Sequence, residues 1–280
     1  MTILKLWLNS IATMFANPGA LLVFAIIYAF VLVASYIFIW IREATIWQVL
    51  VTYVLMILIP IGFLILQAAI INRAIDQKFR WRVILIDALK FLVVSVLVLV
   101  VVGLLYYLLN KLSARYPAPV VEIPPAKKGT PPTTPPLHWP SLIFATLRFV
   151  LWGVAFPLAT IHLWIAIAGG ELRGLFGDGV KSFLKRTGSA LARAFSPDSV
   201  LIYGLGLILF VVLPYVILVP TFTINGNKTE FAVFGLRLLL AFLFSLIGWV
   251  LTLTTFARTV PGLPPEVSVP AVAQPTESVA

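Results

Sequence analysis

Six long apolar stretches with almost no charge run through the 280-residue chain, and they constrain the fold more than any other feature. Residues 19–41 and 46–71 contain no Asp, Glu, Lys, Arg or His. At about 1.5 Å of rise per residue, roughly 20 apolar residues cross a hydrocarbon core of about 30 Å. Inside lipid the backbone polar groups must be satisfied internally, which leaves helices and closed barrels. Barrel strands would alternate over about ten residues, whereas these runs are continuous. The sequence therefore predicts an all-α integral membrane protein with spans at 19–41, 46–71, 91–109, 144–168, 200–219 and 234–257.

Composition agrees. Hydrophobic residues make up 61% of the chain and charged residues 11%, with a mean hydropathy of +1.07. Soluble domains carry about 25% charge, so protein burial alone does not absorb this much apolar surface. The net charge of +10 would point to nucleic acid in a soluble protein. In a membrane protein it reads instead as basic cytoplasmic loops held against anionic lipid. No nucleic-acid partner is expected. The chain has no cysteine, which excludes disulfides, thiolate nucleophiles and cysteine-held metals.

Residues 1–17 are expected to form an amphipathic interfacial helix rather than a signal peptide. Leu4, Trp7, Leu8, Ile11, Met14 and Phe15 fall on one face, and Lys5, Asn9, Ser10 and Thr13 on the other. Asn17-Pro18-Gly19 ends it, and residues 18–109 carry spans one to three with a basic loop at 72–90 (Arg73, Lys78, Arg80, Arg82, Lys90). Residues 110–140, with nine prolines, favour extended polyproline conformation and read as an external strap. Residues 141–258 carry spans four to six with a second basic, amphipathic segment at 170–198 (Arg173, Lys181, Lys185, Arg186, Arg193). The tail at 259–280 is expected to be disordered. Both basic segments belong on the cytoplasmic side by the positive-inside rule. Twelve Lys and Arg then lie inside against six outside, and both termini are cytoplasmic.

The lead-in pattern recurs at 179–196, with Val180, Phe183, Leu184, Leu191 and Phe195 on one side and a Ser196-Pro197 break. A third copy is placed at 74–90. The expected architecture is thus six transmembrane helices as three hairpins, with amphipathic interfacial helices on the cytoplasmic side.

Chemistry is sparse. No span holds paired carboxylates, a metal-spaced histidine set or a Ser/His/Asp arrangement, and no acidic residue is placed mid-span. No enzyme activity, metal or cofactor is expected. His162 is the one histidine within a span, and an intramembrane ionisable group is a site hypothesis by default. Its favoured reading is a structural histidine bonded to a neighbouring helix. Pro60, Pro157 and Pro214 would kink their spans by removing backbone hydrogen bonds. Gln67 and Asn72 follow Pro60, while Thr160 and His162 follow Pro157. These four are the candidate cavity or ligand contacts, converging between spans two and four.

Arg148 and Arg237 are candidate contacts to lipid phosphate or another anion, guanidinium being suited to phosphate oxygens. Snorkelling to the headgroups, or pairing with Glu43 or Glu230, is the favoured reading. Trp40, Trp47, Trp139, Tyr106 and Tyr107 mark the outer boundary, with Trp7 and Trp81 at the inner one. Gly204-x-Gly206 lies in an apolar span and lacks the strand-to-helix context of a phosphate loop.

The lead-in Leu4-Lys5-Leu6-Trp7-Leu8 ending at Asn17-Pro18, the Ile59-Pro60-Ile61 span and Phe156-Pro157-Leu158 carry a layout-level resemblance. The chain resembles bacterial six-span membrane proteins similar to the membrane domain of glycerophosphodiester phosphodiesterases. The resemblance implies a bacterial inner-membrane location and no chemistry. Two functions are expected. The first is a non-catalytic accessory or scaffolding subunit that packs against other membrane subunits. The alternative is a permease or lipid-handling protein with a cavity between kinked helices. The lipid bilayer, with anionic lipid at the cytoplasmic face, is the expected environment in either case.

Overall fold

A computed structural model describes residues 3–42, 44–76, 78–117, 138–168, 179–219 and 227–259. Most of the Pro-rich segment (118–137), the tail beyond 259, Glu43 and positions 169–178 of the second basic segment lie outside the described residues. Every regular element among the described residues is a helix. They are α1 (Ile3–Phe15), α2 (Pro18–Trp40), α3 (Ile46–Asp76) and α4 (Trp81–Ser113). α5 (Trp139–Ile167), α6 (Gly179–Ala194), α7 (Pro197–Leu218) and α8 (Asn227–Arg258) follow. Six of them, α2, α3, α4, α5, α7 and α8, are long and apolar enough to cross a membrane.

Local chemistry sets the helix starts. Thr45 and Gln48 form a reciprocal capping box at α3: Gln48 Oε1 accepts from Thr45 N at 3.0 Å, and Thr45 Oγ1 accepts from Gln48 N at 3.4 Å. Ser196 caps α7 by accepting from Ser199 N (3.3 Å), with Pro197 at the first position and Asp198 in the first turn. Pro18 likewise opens α2.

The helices run further than the apolar stretches. α4 begins at Trp81, ten residues before the uncharged run that marks the third span in the sequence. The segment at 74–90 is therefore the end of α3 and the start of α4, not a lead-in helix of its own. Hydropathy marks where charge stops, but a helix continues wherever its polar side chains find partners.

Two prolines are accommodated by wide turns. Leu151–Ala155 in α5 and Ile208–Val212 in α7 are π-helical, and each directly precedes a Phe-Pro or Leu-Pro pair. Phe156 N bonds back to Leu151 O, and Leu213 N to Ile208 O, each five residues away. Pro60 sits within α3 without such a turn.

Neighbouring helices run antiparallel. Asn72 of α3 meets Asp87 of α4, while Ser113 and Ser95 of α4 meet Arg148 and Trp164 of α5. α7 and α8 approach closely on small residues. A Cβ at Gly206 would stand 2.9 Å from Thr252 Cγ2, and one at Gly248 would stand 2.7 Å from Leu209 Cβ. One end of the bundle carries α1, α6 and the α3–α4 connection; the other carries Trp40, Trp47 and Trp139, all exposed.

The core gathers at the α1 end. α1 packs against α8 and α2 through Trp7, Ser10 and Met14, which are buried, and leaves Leu8 and Phe15 outward. The face turned inward thus includes Ser10, assigned to the polar side from the sequence, and Trp7 is a packing residue instead of a boundary anchor. α6 rests on the end of α5 through Ala190 and Ala194, both fully buried. The side chains of Val180, Phe183 and Leu184 lie outside the described residues.

Candidate functional site

Midway along the bundle the packing opens into a cavity of about 600 Å³ to which all six long helices contribute. α2 supplies Tyr28, α3 supplies Pro60, Phe63, Leu64 and Leu66, and α4 supplies Leu92, Ser95, Val96 and Leu99. α5 adds Phe156, Pro157, Thr160, Ile161 and Trp164; α7 adds Tyr203 and Phe210; α8 adds Ser245, Leu246 and Trp249. The size is that of a drug-sized binding pocket, and its walls are mostly apolar.

The polar atoms on the walls are already engaged with the protein. Tyr28 Oη and Ser245 Oγ share a hydrogen bond of 2.8 Å. Ser95 Oγ donates to Phe91 O (2.6 Å) and accepts from Trp164 Nε1 (3.0 Å). Thr160 Oγ1 donates to Phe156 O at 2.7 Å, and Trp249 Nε1 to Gln67 Oε1 at 2.7 Å. Tyr203 Oη donates to Gly153 O at 3.1 Å. That last bond has a local cause: Gly153 O is the carbonyl to which residue 157 would donate in an α-helix, and Pro157 has no N–H. The hydroxyl from α7 takes the place of the missing donor and ties the π turn of α5 to its neighbour. Such a cavity favours apolar occupants over water, because water needs two to four polar partners.

The four residues expected to converge on a cavity between spans two and four separate here. Thr160 lines the cavity, as do Pro60 and Pro157. Gln67 stands behind Trp249, fully buried, and its Nε2 has no hydrogen-bond partner among the described residues. Asn72 turns to α4, donating from Nδ2 to Asp87 Oδ2 (2.9 Å) and to Ala68 O (2.9 Å). His162 joins α5 to the start of α7: its Nε2 lies 3.1 Å from Ser199 Oγ, and its ring meets Phe256 edge-on at 5.1 Å. Ser199 Oγ donates to Arg193 O at 2.8 Å, which makes His162 Nε2 the donor of their shared bond. Pro214 follows the π turn of α7.

The two arginines sit at separate helix pairs. Arg148 Nη2 donates to Ser113 Oγ at 2.7 Å across α4 and α5. Arg237 donates to the last carbonyls of α7, from Nε to Ile217 O (2.6 Å) and from Nη2 to Leu218 O (2.9 Å). Capping exposed carbonyls at a helix C-terminus suits a cation.

One polar group escaped the sequence reading. Asp87, assigned to a basic loop, is fully buried in α4, and Lys90 donates to its Oδ1 at 2.7 Å while Asn72 donates to Oδ2. The signal was present. Ile84, Asp87, Ala88 and Phe91 follow the three-and-four spacing of a buried helix face, but charge at 87 and 90 marks a loop on a hydropathy plot.

Among the described residues no group of three or more His, Cys, Asp or Glu is placed to hold a metal ion. The fold and its long apolar helices define a multi-pass helical membrane protein with an apolar, partly open cavity among those helices. Comparison with family models, curated proteins and solved structures found no match.

Proposed function

We propose that this is a non-catalytic, lipid-handling membrane protein whose bundle takes an apolar chain into the cavity between its six spans. The observation that supports this most is the engagement of the wall's polar groups. Tyr28, Ser95, Thr160, Tyr203 and Trp249 spend their hydrogen bonds on protein partners. A sugar, an ion or an amino acid would lose its hydration there and gain little in return. A hydrocarbon chain loses nothing of the kind.

In this reading α2–α3, α4–α5 and α7–α8 are three hairpins, with α1 and α6 lying at the membrane interface. The bundle sits in a bacterial inner membrane with α1, α6 and both termini on the cytoplasmic side. Arg73, Arg80, Arg82, Lys185 and Arg193 then face anionic lipid, as the positive-inside rule requires. No cofactor enters the proposal.

The test is native mass spectrometry of the full chain in gentle detergent, for wild type and Leu99→Trp. Leu99 lines the cavity, and an indole there fills part of it. Lipid retained by wild type and lost from the variant is the expected result; equal retention would overturn the reading.

A second reading, an accessory subunit, draws on a different feature. An apolar recess of about 420 Å³ lies between α4, α5 and α6, with Val94, Val98, Val101, Ala155, Ala159 and Ala166 among its lining. Small side chains let a partner's transmembrane helix approach closely. Stoichiometric protein partners in the same native spectra would favour it.

A further inference from the structure

We propose that the lipid enters the central cavity sideways, from the bilayer, through a mouth between α3 and α4. Exposure locates the entrance. Among the described residues that line the cavity, Pro60 and Phe63 of α3 and Val96 and Leu99 of α4 are exposed, and every other is half-buried or buried. These four stand on two neighbouring helices at matching heights. Asn72 Nδ2 donates to Asp87 Oδ2 at 2.9 Å and pins α3 to α4. Phe63 and Val96 are each nine residues from that bond, and Pro60 and Leu99 each twelve. At about 1.5 Å of rise per residue, the two pairs face each other about 14 and 18 Å beyond it.

The seam is sealed on the α1 side of this mouth and parted at it. Toward the α1 end Ile84, Ala88 and Phe91 of α4 are buried, as are Ala68, Ile71 and Asn72 of α3. Beyond Phe91 each helix turns to a different neighbour. α3 packs on α2, where a Cβ at Gly62 would stand 3.0 Å from Val31 Cγ2. α4 packs on α5: Ser95 Oγ accepts from Trp164 Nε1 at 3.0 Å, and Ser113 Oγ accepts from Arg148 Nη2 at 2.7 Å. Between those two bonds the rings of Tyr106 and Trp152 meet edge-on at 6.1 Å. From the level of the cavity outward, α3 and α4 thus belong to separate helix pairs. Pro60 adds a hinge at the same level, because proline lacks the N–H that would bond to Met56 O and the helix bends there at low cost.

The opposite seam, between α5 and α7, is tied at the cavity. Tyr203 Oη donates to Gly153 O at 3.1 Å, and His162 meets Ser199 at 3.1 Å. Thr160, Ile161 and Tyr203, which line the cavity on that side, are buried. The rim of the α3–α4 mouth is of another kind. Ile57 and Ile61 of α3 and Val93 and Val100 of α4 are exposed around it, and all four are apolar. A water-borne solute gains nothing by crossing such a rim, whereas a lipid chain exchanges one apolar contact for another. The route rests on the lipid-handling function proposed above and adds the source of the ligand: the bilayer beside the protein, not the water on either side.

The chain has no cysteine, so a pair introduced across the mouth reacts alone. The full chain with Phe63→Cys and Val96→Cys is loaded with phosphatidylethanolamine in gentle detergent and tethered with a bis-maleimide. The bound lipid is then chased with the same lipid carrying deuterated chains, and native mass spectrometry follows the exchange. Tethering should slow exchange by about tenfold or more relative to the untethered variant, which corresponds to about 1.4 kcal/mol or more of added barrier. The same reagent across α5 and α7, at Val150→Cys and Val211→Cys, should leave the rate unchanged. Val96→Trp narrows the mouth without a reagent and should slow exchange severalfold, while Val211→Trp should not. Exchange unaffected by both the mouth tether and Val96→Trp would overturn the route, as would slowing by the α5–α7 tether alone. The amount of lipid held at equilibrium tests the cavity, and the rate tests the mouth. Equal loading of wild type and Leu99→Trp would overturn the cavity reading and the route with it. Loading lost from Leu99→Trp, with a rate unchanged at the tethered mouth, would overturn the route alone.

Discussion

The two halves of α3 are built from the same kinds of residue and live in different surroundings. Ile46, Trp47, Leu50, Tyr53 and Ile57 are exposed on the outside of the bundle. Leu66, Gln67, Ala68, Ala69, Ile70 and Ile71 are buried on every side of the helix. The same contrast runs through α4, where Ile84, Asp87 and Phe91 are buried and Val93, Val100 and Leu104 are outward. The bundle is therefore dense at the α1 end, hollow in the middle and loosely packed toward the tryptophans. What separates the halves is side-chain size and polar partnership, not hydropathy. Ala68 and Ala69 permit close approach, Asn72 and Asp87 pin α3 to α4, and Gly206 and Gly248 bring α7 against α8.

The contrast is broken most severely at Asp87. Asp87→Ala removes the carboxylate that pairs with the Lys90 ammonium, 4% exposed, and should cost about 3–5 kcal/mol, read as a lowered unfolding midpoint in detergent. The exposed pair Asp76–Arg80 (3.2 Å) serves as its control: Asp76→Ala should cost less than about 1 kcal/mol. Equal losses at the two sites would show that the Asp87 cluster is not buried as described.

Next in size is the apolar comparison within α3. Leu66→Ala should destabilise by about 2–5 kcal/mol, whereas Leu50→Ala, on the outward half, should stay within about 0.5 kcal/mol. Chemical unfolding of both variants decides it, and a large effect at Leu50 would mean that a partner covers that surface.

Glycines sharpen the picture at intermediate scale. Gly248→Ala places a methyl group 2.9 Å from Phe210 N and should cost about 1–3 kcal/mol. Gly235, nearer the start of the same helix, has open space where its Cβ would stand. Gly235→Ala should be neutral or stabilising by up to about 1 kcal/mol. A thermal scan of the pair in one detergent suffices.

The smallest expected effect concerns the join between α5 and α7. Tyr203→Phe removes the side-chain donor to Gly153 O and should cost about 1–2 kcal/mol. Pro157→Ala restores an N–H to the helix, so the Tyr203→Phe loss should shrink in that background. A double-mutant cycle measures the coupling, and additive losses would remove Tyr203 as the substitute donor.

The sequence alone determined that the chain is helical and membrane-spanning, since only long runs of uncharged residues are needed to read six spans. Thr160, expected as a cavity contact, and Pro60 and Pro157, expected as kinks, stand on the cavity wall, whereas Gln67, Asn72 and His162 do not. Only the tertiary structure decided which side of each helix faces protein. Lipid tails are as apolar as leucine, so a buried Leu66 and an outward Leu50 look alike along the chain. The same limit explains the polar residues. Asp87 and Lys90 read as a loop until Asn72 is brought opposite them, and Ser10 read as solvent-facing until α1 was rotated onto α8. Arg73 and Arg258, 185 positions apart in the chain, share a cleft only because α3 and α8 are packed together at the α1 end. Periodicity and charge are local properties of a chain; cavities and pairs of distant side chains are products of packing.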